Sequence, residues 1–227
     1  MEDLGAQPGQ VEIKMAQKPW PVVVGCEVLT EGCESCPSYH SSIANKGVRG
    51  HIFEHSYNVR VIDNEITTPL ANPGPTIYLV AFGSDLFHEA VTGEKLQQIF
   101  EVMNKSTRHV FEIKTKRVER MVTATKQFGL KWTDNILAGI GLESADYKYR
   151  IDQLRKLDCK AKFISMVPLL GPMGKLNLKG IGCVGVAPET WGEKRPCNPE
   201  WMEKIKSQCK AQKVEFLEQE PNIWSDH

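Results

Sequence analysis

The chain has no long apolar run. No stretch of its 227 residues approaches the ~18 consecutive apolar residues of a membrane-spanning helix. The opening segment, MEDLGAQPGQVEIKMAQK, is polar and lacks the apolar centre of a secretory signal. A cytoplasmic location with no membrane partner is therefore expected. Net charge is also missing: 28 basic residues balance 28 acidic ones. Tight sequence-blind DNA binding rests on a basic face, so the composition gives no presumption of one, although a local patch stays open. No internal repeat and no low-complexity tract is visible. An even cysteine framework is absent too, because there are seven cysteines. In a cytosolic chain, clustered cysteines point to metal or redox chemistry rather than to disulfides.

What the chain does have is a cluster. In WPVVVGCEVLTEGCESCPSYH (20–40), Cys26, Cys33 and Cys36 follow the pattern C-x6-C-x2-C, and the next cysteine is Cys159. Three chemistries compete for this loop. A structural zinc ion needs four ligands, and His40 offers a fourth. A thiol redox pair would use Cys33 and Cys36 as C-x-x-C and leave Cys26 idle. A [4Fe–4S] cluster would take all three thiolates and keep one iron open for an exchangeable ligand. Spacing alone leaves zinc and the cluster both standing.

The rest of the chain alternates strand and helix. TIYLVAFG (76–83), HVFEIKT (109–115), NILAGIGLE (135–143), AKFISMVPLL (161–170) and GIGCVGVA (180–187) read as strands, with VEFLEQ (214–219) as a last one. GEKLQQIFEVMNK (93–105) places Leu96, Ile99, Phe100 and Met103 on one helical face. Helices are also expected over 117–129, 149–157 and 198–213, the first stopped by Gly129 and the last with Pro199 at its first position. Alternation of this kind gives an α/β fold with a parallel sheet under helices, either doubly wound or a βα barrel. A complete barrel takes ~250 residues, so a partial TIM-like barrel of six to seven parallel strands fits better. It occupies 20–219, with 1–19 as an N-terminal extension, 51–75 as an irregular insertion and 220–227 as a tail. Its first strand is expected at Val22–Val24.

Sites in such sheets form at the C-terminal ends of strands. Those ends supply Ser84, Asp85 and His88, then Lys114, Lys116 and Arg117, then Glu143 and Ser144, then Glu189 and Arg195. Each has a plain alternative. Asp85 suits a helix cap, and Lys116, Arg117 and Arg120 suit a solvated helix face. The isolated Cys159, Cys183 and Cys209 read as small buried apolar groups.

Several blocks then occur in a characteristic order: GCEVLTEGCESC, GSDLFHEAV, TKRVERM, RIDQLRKL, KFISMVPLLGP and KRPCNPEWMEKIKSQC, followed by VEFLEQ. In these, over Trp20 to about Glu218, the sequence resembles the phage-type three-cysteine-motif proteins, a radical-SAM-like family of unknown function. The resemblance implies a partial barrel, a [4Fe–4S] cluster on Cys26, Cys33 and Cys36, and S-adenosylmethionine as cosubstrate. It implies an enzyme that abstracts hydrogen from carbon, with a one-electron reductant as partner and the host cytoplasm as location. The expected substrate is a nucleic-acid base substituent of thymine type, in phage DNA or a free nucleotide. Asp85, Glu143, Glu189 and Ser84 are expected at the cosubstrate, and Lys116 and Arg117 at a carboxylate or phosphate. Two features depart from the family pattern. Val167 stands where an acidic residue precedes the proline of PLLGP, and VAPETWGEKRP replaces a glycine-rich turn. The loop also differs from the C-x3-C-x2-C of the wider superfamily. The alternative from another class is a non-enzymatic zinc or iron–sulfur module that works with a partner protein.

Overall fold

A computed structural model describes residues 15–218. The strands are β1 (Ala16–Trp20), β2 (Val23–Val24), β3 (Arg60–Val61), β4 (Thr76–Val80), β5 (Val110–Thr115), β6 (Ile136–Gly141), β7 (Ala161–Met166), β8 (Cys183–Val186) and β9 (Glu215–Glu218). The helices are α1 (Pro37–Ala44), α2 (Thr68–Ala71), α3 (Gly93–Lys105), α4 (Val118–Phe128), α5 (Tyr149–Arg155) and α6 (Pro199–Gln212).

Local chemistry sets the helix ends. The Thr92 hydroxyl accepts from the Lys95 N–H at 3.3 Å and starts α3. Asn198 accepts from the Glu200 N–H at 2.9 Å and starts α6, with Pro199 in the first turn. Gly129 ends α4 in the left-handed region at φ 62°, where a side chain would be strained.

Seven strands form one parallel sheet in the order β1-β4-β5-β6-β7-β8-β9. The order never reverses. A doubly wound sheet reverses at its switch point, so that alternative falls away. Crossovers of one hand, all advancing the same way, put the helices on one face, and the sheet curls into a half-barrel. On the helix side Phe111, Ile113, Ile136, Ile140, Ile164 and Val184 are buried against Leu96, Ile99, Phe100, Met121, Leu154 and Ile205. The alternate residues, Glu112, Lys114, Gly139, Phe163, Cys183 and Glu215 among them, face the hollow.

The sheet begins earlier than the sequence suggests. Its first strand is Ala16–Trp20, inside the segment read as an extension, and not Val22–Val24. Val23–Val24 pairs instead, antiparallel, with Arg60–Val61. The apolar run misleads because Val22 and Val23 pack into the core from a two-stranded ribbon that lies outside the seven-stranded sheet. The irregular segment 51–75 thus contributes β3 and α2 and braces the stem of the cysteine loop.

That stem turns on Gly25, at φ 79°, where an added Cβ would lie 2.3 Å from the Asn58 carbonyl oxygen. At Gly129 the same addition meets nothing within 4 Å. Gly129→Ala should therefore cost about 1 kcal/mol, the conformational term alone. Gly25→Ala should cost clearly more, because backbone must move. Urea midpoints of the two variants test this ordering.

Candidate functional site: a cysteine loop at the mouth of the half-barrel

Residues 25–36 follow β2 and cross the C-terminal ends of β4, β5, β6 and β8, where the strand-end side chains meet them. The three cysteines are all partly exposed and none is in a disulfide. Each sulfur faces a different donor. The Cys26 sulfur lies 3.8 Å from Arg117 Nη1. The Cys33 sulfur lies 3.1 Å from Lys116 Nζ and 3.5 Å from the Thr30 hydroxyl. The Cys36 sulfur lies 3.8 Å from the Tyr57 hydroxyl. Cys36 also takes the N-cap position of α1, with Pro37 in its first turn, and its side chain makes no cap hydrogen bond.

Lys116 and Arg117 each lower the pKa of the thiol they face, yet the net shifts of Cys33 and Cys26 run in opposite directions. Burial raises the pKa of Cys33, but the Lys116 charge, the Thr30 hydroxyl and a backbone donor outweigh it, and the net shift is downward. At Cys26 burial, helped by Asp85, wins over Arg117 and pushes the thiol up to about 11.

Behind the loop lies a buried ionic layer. Glu143, 1% exposed, forms an ion pair through Oε1 with Lys116. The same oxygen accepts from the Thr30 hydroxyl at 2.8 Å, and Lys116 in turn donates to Thr30 at 2.8 Å. Glu143 Oε2 lies 3.5 Å from Arg150 Nη1 and accepts no hydrogen bond. Asp85 is fully engaged. Its Oδ1 accepts from the Phe87 N–H at 2.9 Å and the Thr115 hydroxyl at 2.6 Å, and its Oδ2 from the Lys116 N–H and Arg117 Nη1, each at 3.2 Å. Arg117 spans Asp85, Glu27 and Glu89. Glu189 takes Arg195 through Nε at 3.0 Å, its backbone N–H at 2.9 Å, and Nη2. Arg195 also reaches the Glu31 carbonyl at 2.8 Å. The Ser84 hydroxyl donates to the Gly25 carbonyl.

The structure thus brings Ser84, Asp85, Lys116, Arg117, Glu143 and Glu189 around the three cysteines. Lys116 and Arg117 are not a solvated face, since Arg117 is only 6% exposed. Asp85 does bond a backbone N–H two residues on, but it caps no helix. Cys159 and Cys209 are buried as expected, whereas Cys183 is half-exposed on the hollow side. His40 turns its ring to the Glu34 carbonyl at 3.0 Å. Sequence reasoning missed Glu27, Thr30, Tyr57 and Arg150. The last carried one signal, a charged residue directly before the apolar stripe of its helix. The others carried none.

Among the described residues, the three sulfurs do not all lie within 4.8 Å of one another, with or without His40. The group that does is Glu27, His88 and Glu89. Arg117 sits between those carboxylates and donates to both. His88 Nδ1 accepts from the Ala90 N–H at 3.1 Å, which leaves the proton on Nε2, 3.5 Å from Glu27. That group is an arginine-centred ion-pair cluster.

Fold and site together define an α/β half-barrel protein with a three-cysteine loop over its strand ends. Residues 10–226 match the family described as "Protein of unknown function (DUF5131)", and the chain belongs to that family. No curated protein and no solved structure matches it. Among the described residues, no helix is long and apolar enough to cross a membrane.

Two outcomes follow from the ionic layer. Glu143→Ala strands Lys116 and Arg150 without their carboxylate and should cost about 3 kcal/mol or more in urea unfolding. In the metal-free protein at pH 7, Cys33 should alkylate at least about tenfold faster than Cys26, and Lys116→Met should narrow that gap, because removing the cation raises the Cys33 pKa. Peptide mass spectrometry after timed iodoacetamide treatment reads both rates.

Proposed function

We propose that the protein is a radical S-adenosylmethionine enzyme whose [4Fe–4S] cluster is held by Cys26, Cys33 and Cys36. The observation that carries this reading is the separate donor at each sulfur, combined with the spread of the sulfurs. Tetrahedral zinc, with Zn–S of ~2.3 Å, draws its sulfurs to within ~3.8 Å of each other. Thiolates bound to different irons of a cubane stand further apart. The three sulfurs are thus not gathered at the spacing of a single tetrahedral ion, which is compatible with a multi-iron group.

Held by Cys26, Cys33 and Cys36, the cluster would supply radical chemistry at carbon with S-adenosylmethionine as cosubstrate and an electron from an outside reductant. The chain's own residues do the rest. Lys116, Arg117 and Tyr57 place positive charge or a hydroxyl against thiolates that would otherwise repel one another. Asp85, Glu143, Glu189 and Ser84 act as positioning residues: they hold Lys116, Arg117, Arg195 and the loop backbone. In this arrangement Asp85 and Glu189 have their oxygens filled by the protein, and Glu143 is sealed beneath Gly32, so a direct grip on the cosubstrate is assigned to none of them. The substrate we favour, on the resemblance described above, is a thymine-type base substituent.

The test is anaerobic reconstitution with iron and sulfide. About four irons per chain are expected, with a reduced-state EPR signal that changes when S-adenosylmethionine is added. Cys26→Ala, Cys33→Ala and Cys36→Ala should each lose the cluster. One tightly held zinc and no iron would overturn the reading and leave a metal module that works with a partner.

A further inference from the structure

The half-barrel has a hollow side that the cysteine loop does not fill. One row of residues crosses it. Lys114 on β5 is in register with Gly139 on β6, Gly139 with Phe163 on β7, Phe163 with Cys183 on β8, and Cys183 with Glu215 on β9. Gly139 has no side chain to stand between its neighbours, and the Phe163 ring lies across it. An added Cβ there would come within 2.1 Å of that ring. One residue pair nearer the mouth, the Lys116 stem passes over Gly141, 3.3 Å from where a Cβ would stand. The Phe163 ring and the Lys116 stem thus take up the space over the two glycines, and Lys114 stands beside them in the same row.

Lys114 is the unusual member of the row. Its side chain is exposed. Among the described residues it makes no hydrogen bond, ion pair or ring contact. Lys116 and Arg117, its neighbours in sequence, are both fully paired. Glu112, two residues back on the same face, forms no close ion pair with Lys114 among the described residues, although the two charges act on each other. The side chain is open to solvent along the hollow, yet the surrounding wall of protein and the Lys116 charge depress its pKa. An ammonium held in that setting gains more from an arriving anion than a surface lysine does.

We propose that Lys114 anchors the single anionic group of a small ring-bearing ligand whose ring lies on Phe163. Phosphate and carboxylate share the needed chemistry. A polymeric nucleic acid fits poorly, because the same hollow presents Glu112 and Glu215, which repel a run of phosphates. That this ligand is the substrate rests on the radical reading above; that an anion binds at Lys114 does not.

The experiment compares matched pairs by equilibrium binding to the full chain, with and without reconstituted cluster: thymidine against thymidine 5′-monophosphate, and uracil against orotate. At least one anion should bind about tenfold or more tighter than its neutral parent, as expected for one charge-assisted contact. Lys114→Met should erase that preference, and Lys114→Arg, which keeps the charge, should retain most of it. Phe163→Ala should weaken both members of the pair alike. Equal affinity within both pairs, or a preference that survives Lys114→Met in a protein of unchanged melting temperature, overturns the inference. So does a duplex oligonucleotide that binds tighter than any mononucleotide through Lys114. A chain that binds the anion but assembles no cluster refutes only the radical reading, so the two failures are separable.

Discussion

The buried ion pair between Lys116 and Glu143 is the constraint on which the cysteine loop depends. It joins the end of β5 to the end of β6, and it supports the loop from below through Thr30 and Cys33. Moving two such charges out of water is unfavourable unless every remaining donor and acceptor finds a partner. Thr30 supplies one, donating to Glu143 while accepting from Lys116. Arg150 supplies another charge from α5, held by the Gly141 carbonyl at 2.7 Å and stacked 4.3 Å over Tyr147. The pair also dictates sequence above it. Gly32 has no side chain because a Cβ there would come 2.4 Å from Glu143 Cγ. Loop shape, thiolate charge and carboxylate burial are thus one linked arrangement, and not three separate features.

Two further clamps repeat the principle with different partners. On the Cys26 side, Asp85 from the end of β4 holds Arg117 from the end of β5. On the Cys36 side, Glu189 holds Arg195, which reaches the Glu31 carbonyl and lies 3.5 Å from Glu34. Gly192, at φ 69°, lets this last turn close on Ser35, where a side chain would collide at 2.6 Å. Here the segment 187–196, which departs from the glycine-rich pattern of the resembled family, gains a physical account. It is a strap over the loop, and its acidic and basic residues are there to close it.

The sequence showed the architecture well where helices were amphipathic and strands were followed by polar ends. α3 falls on 93–105 as its apolar spacing required, and α4 ends at Gly129. The first strand was misread because β1, AQKPW, is exposed over four of its five residues and has no apolar pattern, whereas the apolar Val22–Val24 belongs to a ribbon. Edge strands lack the second buried face that makes a strand recognisable. The ring of strand-end residues around the cysteines was legible for the same reason that it exists: parallel strands deliver their C-terminal ends to one side. Their roles were not legible. Carboxylates expected to meet a ligand are occupied by the protein's own cations, and partners such as Thr30 and Glu143 are 113 residues apart in sequence. No local signal reports a pairing of that length.

Pairing of this kind also explains how a chain with no net charge can bring cations to its cysteine loop. Each cation near the cysteines is assigned both to a sulfur or the loop backbone and to a carboxylate, so the charges cancel locally while their directions remain fixed. Lys116 points at Cys33, Arg117 at Cys26, and Arg195 at the loop backbone. The total is zero, but each cation keeps a fixed direction. Composition therefore says little about such a site, because it counts charges and not their orientation. Lys114 is the exception that this logic isolates: it stands two residues before Lys116 at the end of β5, and among the described residues it makes no hydrogen bond or ion pair, although Cys36, Glu143 and Glu112 lie near enough to act on its charge. In a structure where the cations around the loop have been given partners, the one left open on the hollow side is the one with a place for something from outside.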